Sequence, residues 1–193
     1  HHTNEIAQSE AANEKTFVNY WLHNEHLLVD GGKMAKSQGT SYVLQDVLDK
    51  GYNPLALRYF FLNAHYRSKQ NFTWHALDAA RTTLEKLYDR VIALPPRTCG
   101  GIKGGSKQYE QRFQQALEDD FNTPQALAVM WDLFKSDYPD SDKKASLLKF
   151  DKVLGLKLAE VKKEEPEIPA AVQQLIEERE QARVDKDFVK SDQ

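Results

Sequence analysis

A chain of 193 residues, with 40% hydrophobic and 28% charged side chains and a formal net charge of −3, can bury one or two ordinary cores and is not disordered by composition. Residues 1–105 carry 12 Lys and Arg against 10 Asp and Glu, and residues 106–193 carry 14 against 19, which excludes a bulk basic footprint and leaves only a local patch or base readout for any RNA contact. The single cysteine, Cys99, excludes an internal disulfide, and the lack of a long apolar run or a signal-peptide pattern predicts a soluble, cytoplasmic protein with no membrane partner.

In chain order, residues 3–13 hold good helix formers and no breaker and read as a short helix. Residues 17–29 turn to β-type, with Phe17, Val18, Tyr20, Trp21 and Leu22, a polar turn at 23–26, and then Leu27, Leu28 and Val29. Two strand segments leading into a lysine loop are expected. Residues 42–50 follow as a helix, capped by Ser41 and stopped by Gly51. Asn53 and Pro54 start another, because proline loses nothing at the first helical position.

Residues 73–93 form a long helix with Leu77, Ala80, Leu84, Leu87, Tyr88 and Val91 on one face, ended by Pro95 and Pro96. The four glycines of RTCGGIKGGS at 97–106 mark a flexible linker. Beyond it the pattern is helical at 107–119, 123–135, 141–154 and 169–190, with Thr123 and Pro124 as a cap-and-start pair. A strand pair followed by helices is too little for an independent sheet. The fold class is mostly α.

The clearest chemistry is GGKMAKSQGT at 31–40. A glycine-rich turn lets backbone amides approach an anion, and Lys33 and Lys36 add two mobile ammonium donors, with a hydroxyl from Ser37. By composition alone a solvated turn is the simpler account. His1 and Glu5, four apart, would share one face of a helix and could hold the same ion, although a surface ion pair has the same spacing. For Trp21 core packing is the simpler reading, and for His23 and His26 a solvated turn.

The loop resembles the KMSKS loop of class I aminoacyl-tRNA synthetases, with Ala35 in place of a serine. Its neighbours, HHTNEIAQSEA at 1–11, FVNYWLHN at 17–24, LRYFFLNAHYRS at 57–68 and DDFNTPQALAVMWDL at 119–133, are similar to the cysteinyl-tRNA synthetases in that family's order. The resemblance covers nearly the whole chain. It implies the C-terminal end of a Rossmann-type catalytic domain at 1–40, a stem-contact helical region at 41–96, a linker at 97–106 and a DALR-type anticodon-binding bundle at 107–193.

The implied reaction is ATP-dependent ligation of L-cysteine to tRNA(Cys) through cysteinyl-adenylate, by a monomer. Lys33 and Lys36 are then the catalytic pair, and Lys33, Met34, Lys36 and Ser37 the ATP-binding set. His1 and Glu5, with two cysteines outside this chain, would ligate zinc, since Cys99 has the wrong position to replace them; Mg2+ would accompany ATP. Arg67 and Lys69 would contact tRNA phosphates, although a helix C-terminus also welcomes cations. No HIGH-like stretch exists here, so the chain is expected to be an inactive fragment of a longer enzyme. A close rival is the cysteine ligase of the mycothiol pathway, and a rival of another class is a noncatalytic helical RNA-binding module.

Overall fold

Capping side chains set three of the helix starts. The computed structural model describes residues 1–35, 39–95, 106–162 and 179. Residues 1–161 form one compact unit and residues 162–193 a second, of which only Lys162 and Arg179 are described. The helix expected at 169–190 therefore lies outside the described residues, apart from Arg179, as does the expected linker apart from Ser106.

The elements run α1 (Thr3–Asn13), β1 (Leu27–Val29), β2 (Gly32–Lys33), α2 (Leu44–Asp49), α3 (Pro54–Leu62), β3 (Gln70–Phe72), α4 (Trp74–Ala93), α5 (Lys107–Glu118), α6 (Thr123–Lys135) and α7 (Asp140–Leu154). Asn53 accepts from the Leu55 amide at 2.9 Å and starts α3 ahead of Pro54. Thr73 accepts from the Ala76 amide at 3.0 Å and starts α4. Each such cap satisfies an amide that has no partner inside its helix, a contribution of ~1 kcal/mol.

Two expected caps are displaced. Asn122, not Thr123, caps α6, accepting from Gln125 N at 3.2 Å. Thr123 is already the first residue of that helix, so its hydroxyl turns to the Ala64 carbonyl instead. The cap position of α2 belongs to Val43 rather than Ser41, and Asp46 holds it by accepting from the Val43 amide at 2.6 Å.

Residues 17–22 form no strand, contrary to expectation: Tyr20 is 92% exposed, and Phe17, Trp21 and Leu22 are exposed too. β-branched and aromatic residues favour strands only when a neighbouring strand covers them. The second expected segment, 27–29, does form a strand, β1, and the sheet continues into β2 and has a third member in β3. β1 is central, antiparallel to β2 and parallel to β3, with Leu27 opposite Gln70, Leu28 opposite Asn71 and Val29 opposite Phe72.

One core runs through the described part of this unit, from Val29 through Leu77, Leu84 and Leu87 of α4 to Met130, Leu133, Leu147 and Phe150 of the last helices. Phe113 and Phe150 stack at 4.1 Å and 6°, joining α5 to α7. Polar ties cross the same core. Trp131 Nε1 donates to the Tyr59 hydroxyl at 3.0 Å, the Tyr88 hydroxyl to the Leu156 carbonyl at 2.9 Å, and Lys144 Nζ to the Leu94 carbonyl at 2.9 Å. Ser106, which the sequence places in a flexible linker, is fully buried; its amide and hydroxyl both donate to the Ser146 hydroxyl, at 2.9 and 3.0 Å.

Candidate functional site

The lysine loop grows out of a hairpin. Asp30 and Gly31 both adopt positive φ, 49° and 78°, the pair of left-handed residues that a two-residue turn needs to match the twist of its strands. β3 fixes that turn from the side: the Asp30 amide donates to the Phe72 carbonyl at 3.0 Å, and the Gly31 amide to Asn71 Oδ1 at 2.8 Å. β3 is itself anchored, since Gln70 Nε2 donates to the Phe60 carbonyl of α3 at 2.6 Å and Phe72 is buried.

On this base Lys33 stands opposite Leu28 at the end of β2, exposed. Met34, the next residue, turns inward and packs against the core. A ligand reaching Lys33 therefore meets an edge strand paired to β1, with its turn fixed by β3. The two ends of the following loop are pinned together by Thr40, whose hydroxyl accepts from the Ala35 amide at 3.1 Å and donates to the Ala35 carbonyl at 3.3 Å, while its own amide donates to that carbonyl at 3.3 Å. Lys36 and Ser37 lie outside the described residues.

The N-terminal candidates sit differently from their helical expectation. α1 begins at Thr3, so His1 is outside it and does not share its face with Glu5. It is His2 that meets Glu5, Nδ1 to Oε2 at 3.7 Å, and His2 Nε2 lies 2.9 Å from His23 Nε2, one donating and the other accepting. Trp21 is 42% exposed rather than a core residue; it stacks on His2 at 4.5 Å and 4°, and His1 stacks on His2 at 5.2 Å. Among the described residues no group of three or more His, Cys, Asp or Glu side chains is placed to hold a metal ion. Histidine nitrogen and glutamate oxygen are donors that zinc accepts, but the pair alone falls short of the four ligands of a closed zinc site.

Arg67 and Lys69 are both exposed, on the stretch between α3 and β3. Arg67 Nε donates to the Tyr66 hydroxyl at 2.8 Å and lies 3.0 Å from Asp120 Oδ2, with Nη2 3.3 Å from Asp120 Oδ1. The Tyr66 hydroxyl, followed by the Asp120 carboxylate, raises the Arg67 pKa and keeps the guanidinium charged. Sequence reasoning missed Asp120 because nothing in the spacing of 67 and 120 signals a contact.

Residues 1–82 match the family model for the class I (C) catalytic domain of tRNA synthetases, and residues 112–136 match the DALR domain. Over 193 residues the chain is 43% identical to cysteine–tRNA ligase 1 of Burkholderia lata, with all of this chain and 40% of that protein covered. It is 42% identical over 206 residues to cysteine–tRNA ligase of Legionella pneumophila strain Corby, covering 43% of it, and 39% identical over 216 residues to that of Leptospira interrogans, covering 45%. All of the chain is covered in each case, and it spans less than half the length of these curated relatives. Over its whole length the chain is similar to cysteine–tRNA ligases, with a class I tRNA synthetase catalytic-domain match in its first part and a DALR-domain match in its helical bundle.

Proposed function

We propose that this chain is the part of a cysteine–tRNA ligase that carries the ATP-handling lysine loop and the start of the RNA-binding helices. The observation that carries this reading is the exposed Lys33 on a hairpin whose turn is fixed by β3, at the position where the family keeps its nucleotide loop. In amino-acid activation a carboxylate attacks the α-phosphate of ATP, the bond to the leaving phosphate breaks, and pyrophosphate departs. Catalysis is then largely orientation plus neutralisation of the charge developing on pyrophosphate. Lys33 and Lys36 supply that charge, and Met34 anchors the chain next to Lys33 by packing against the core.

The substrates are L-cysteine, ATP as its magnesium salt and tRNA(Cys), and the compartment is the cytoplasm. Roles divide along the chain as catalytic end at 1–40, stem contact at 41–96 and anticodon-side bundle at 107–193. Arg67 and Lys69 contact RNA phosphates from within the stem-contact region, on the stretch between α3 and β3. Among the described residues no helix is long and apolar enough to cross a membrane.

The test uses the complete protein. Cysteine-dependent pyrophosphate exchange should fall on the order of a hundredfold in Lys36→Ala, the usual loss for one transition-state donor. Exchange equal to wild type would remove Lys36 from the mechanism, and a wild-type protein that neither exchanges pyrophosphate nor charges tRNA(Cys) would refute the whole reading.

A further inference from the structure

Asp120 sits at the corner between α5 and α6 and gathers three consecutive residues of a distant segment. Its carbonyl accepts from His65 Nε2 at 2.9 Å, Oδ1 accepts from the Tyr66 hydroxyl at 2.6 Å, and Oδ2 faces Arg67 Nε at 3.0 Å. Asp120 and Phe121 both hold left-handed backbone, φ 51° and 55°, a conformation that costs non-glycine residues and persists only where the surroundings enforce it. Asp120 and Arg67 are too exposed, at 41% and 67%, for the ion pair to matter much to global stability. Its use must lie in what it holds together.

The stretch that Asp120 holds is the same one that supports the lysine hairpin. The Tyr66 carbonyl accepts from the Glu25 amide at 2.8 Å, two residues before β1. Four residues after Tyr66, β3 begins its parallel pairing with β1, and Asn71 of that strand fixes the hairpin turn. A path of contacts therefore runs from the bundle corner, through Tyr66, to β1, against which the strand carrying Lys33 pairs.

We infer that Asp120 is a positioning residue: its clasp on His65, Tyr66 and Arg67 keeps the anticodon-side helices in register with the lysine loop, so that RNA bound on the helices presents its acceptor end to the activated amino acid. This rests on the ligase reading above. Loosening the joint leaves small-molecule activation intact, because the hairpin keeps its own pairing, while charging of a long RNA loses its alignment. Misplacement by a fraction of an ångström is enough to slow a reaction about tenfold.

The experiment compares Asp120→Asn, Asp120→Ala and Tyr66→Phe in the complete protein. Asparagine tolerates left-handed backbone and keeps an acceptor for Tyr66, so it separates loss of charge from loss of fold. Expected for Asp120→Ala and Tyr66→Phe are pyrophosphate exchange within about twofold of wild type, kcat for charging down about tenfold, and KM for RNA nearly unchanged, with Asp120→Asn intermediate. The double variant should be no worse than either single one, since both break one joint. Exchange and charging falling in parallel, a rise in KM alone, or no change would each overturn the inference.

A second readout does not depend on catalysis. Hydrogen exchange at the Glu25 amide should quicken several-fold in Asp120→Ala while the global melting temperature stays put. If wild type performs no exchange of pyrophosphate, the ligase reading fails; the clasp is then decided by that amide, and unaltered protection overturns it.

Discussion

The guanidinium of Arg58 occupies the space into which a side chain on Gly155 would project. A Cβ at Gly155 would lie 2.8 Å from Arg58 Nη2 and 2.9 Å from Cζ, and Arg58 Nε donates to the neighbouring Leu154 carbonyl at 2.7 Å. The arginine of α3 thus closes the last turn of α7, at a residue whose φ of 63° suits glycine. Gly155→Ala should destabilise the protein by about 2 kcal/mol, from left-handed strain plus the crowded guanidinium. Arg58→Ala in the same chain should recover part of that loss, because the crowding goes with it. Urea denaturation of the two single variants and the double one measures both, and simple additivity would mean that the two residues do not meet.

Thr40 closes the neck of the lysine loop through three hydrogen bonds to one residue, Ala35. Thr40→Val keeps the shape and removes the hydroxyl, at a local cost of about 1 kcal/mol. Trypsin should then cut at the loop lysines roughly five times faster, the population change that this energy implies. Identical cleavage rates would show that the neck is closed without the hydroxyl.

Glu110 sits among cations and hydroxyls of α7. Burial pushes its carboxyl up, but hydrogen bonds from Lys149 and Ser146, with the charges of Lys149 and Lys107, outweigh that and bring it below its ordinary 4.5. The sign follows: the carboxylate stabilises the fold above that ordinary value, and the contribution disappears as pH falls through the lower folded one. Glu110→Gln should lower stability at pH 7 by ~1 kcal/mol, a modest figure because the pair is partly exposed. The difference from wild type should shrink below about pH 4. Urea midpoints at pH 7 and pH 3.5 check it, and a constant difference would assign the effect to shape rather than charge.

Tyr88 provides the alkaline counterpart. Burial first, then the nearby carboxylates of Asp151 and Glu160, push its hydroxyl up to about 12. Since the unfolded chain ionises at its ordinary 10.0, stability is full below that value and is lost as pH rises through the folded one. Tyr88→Phe should cost about 1 kcal/mol at neutral pH, where the Leu156 carbonyl loses its donor, and should flatten the decline between pH 10 and 11.5. Thermal melts across that range are the measurement; an equally steep decline in the variant would point to other groups.

Helices were legible wherever a cap and an apolar stripe coincided. Asn53 with Pro54, and Thr73 ahead of the Leu77, Leu84, Leu87 face, placed α3 and α4 to within a residue or two at their starts. The sheet was harder. β3 has only Gln70, Asn71 and Phe72, and two of these three carry no strand preference, so its signal came from the partner and not from itself. Asp30 and Gly31 carry the residue types of a tight hairpin turn, but that signal went unused, because the aromatic run at 17–22 and the polar 23–26 drew the expected strand pair and its turn upstream. At the candidate site Lys33 stood out by its glycine neighbours, whereas the clasp on Arg67 required knowing that residues 67 and 120 are close in space.

The parallel pairing of β1 with β3 bears on how the protein is made. During synthesis the hairpin leaves the ribosome some forty residues before the strand that steadies it, and three-residue strands have no stability of their own. Lys33 must wait for α3 and β3 to arrive, and it takes its final place only as the helical core closes around Phe72.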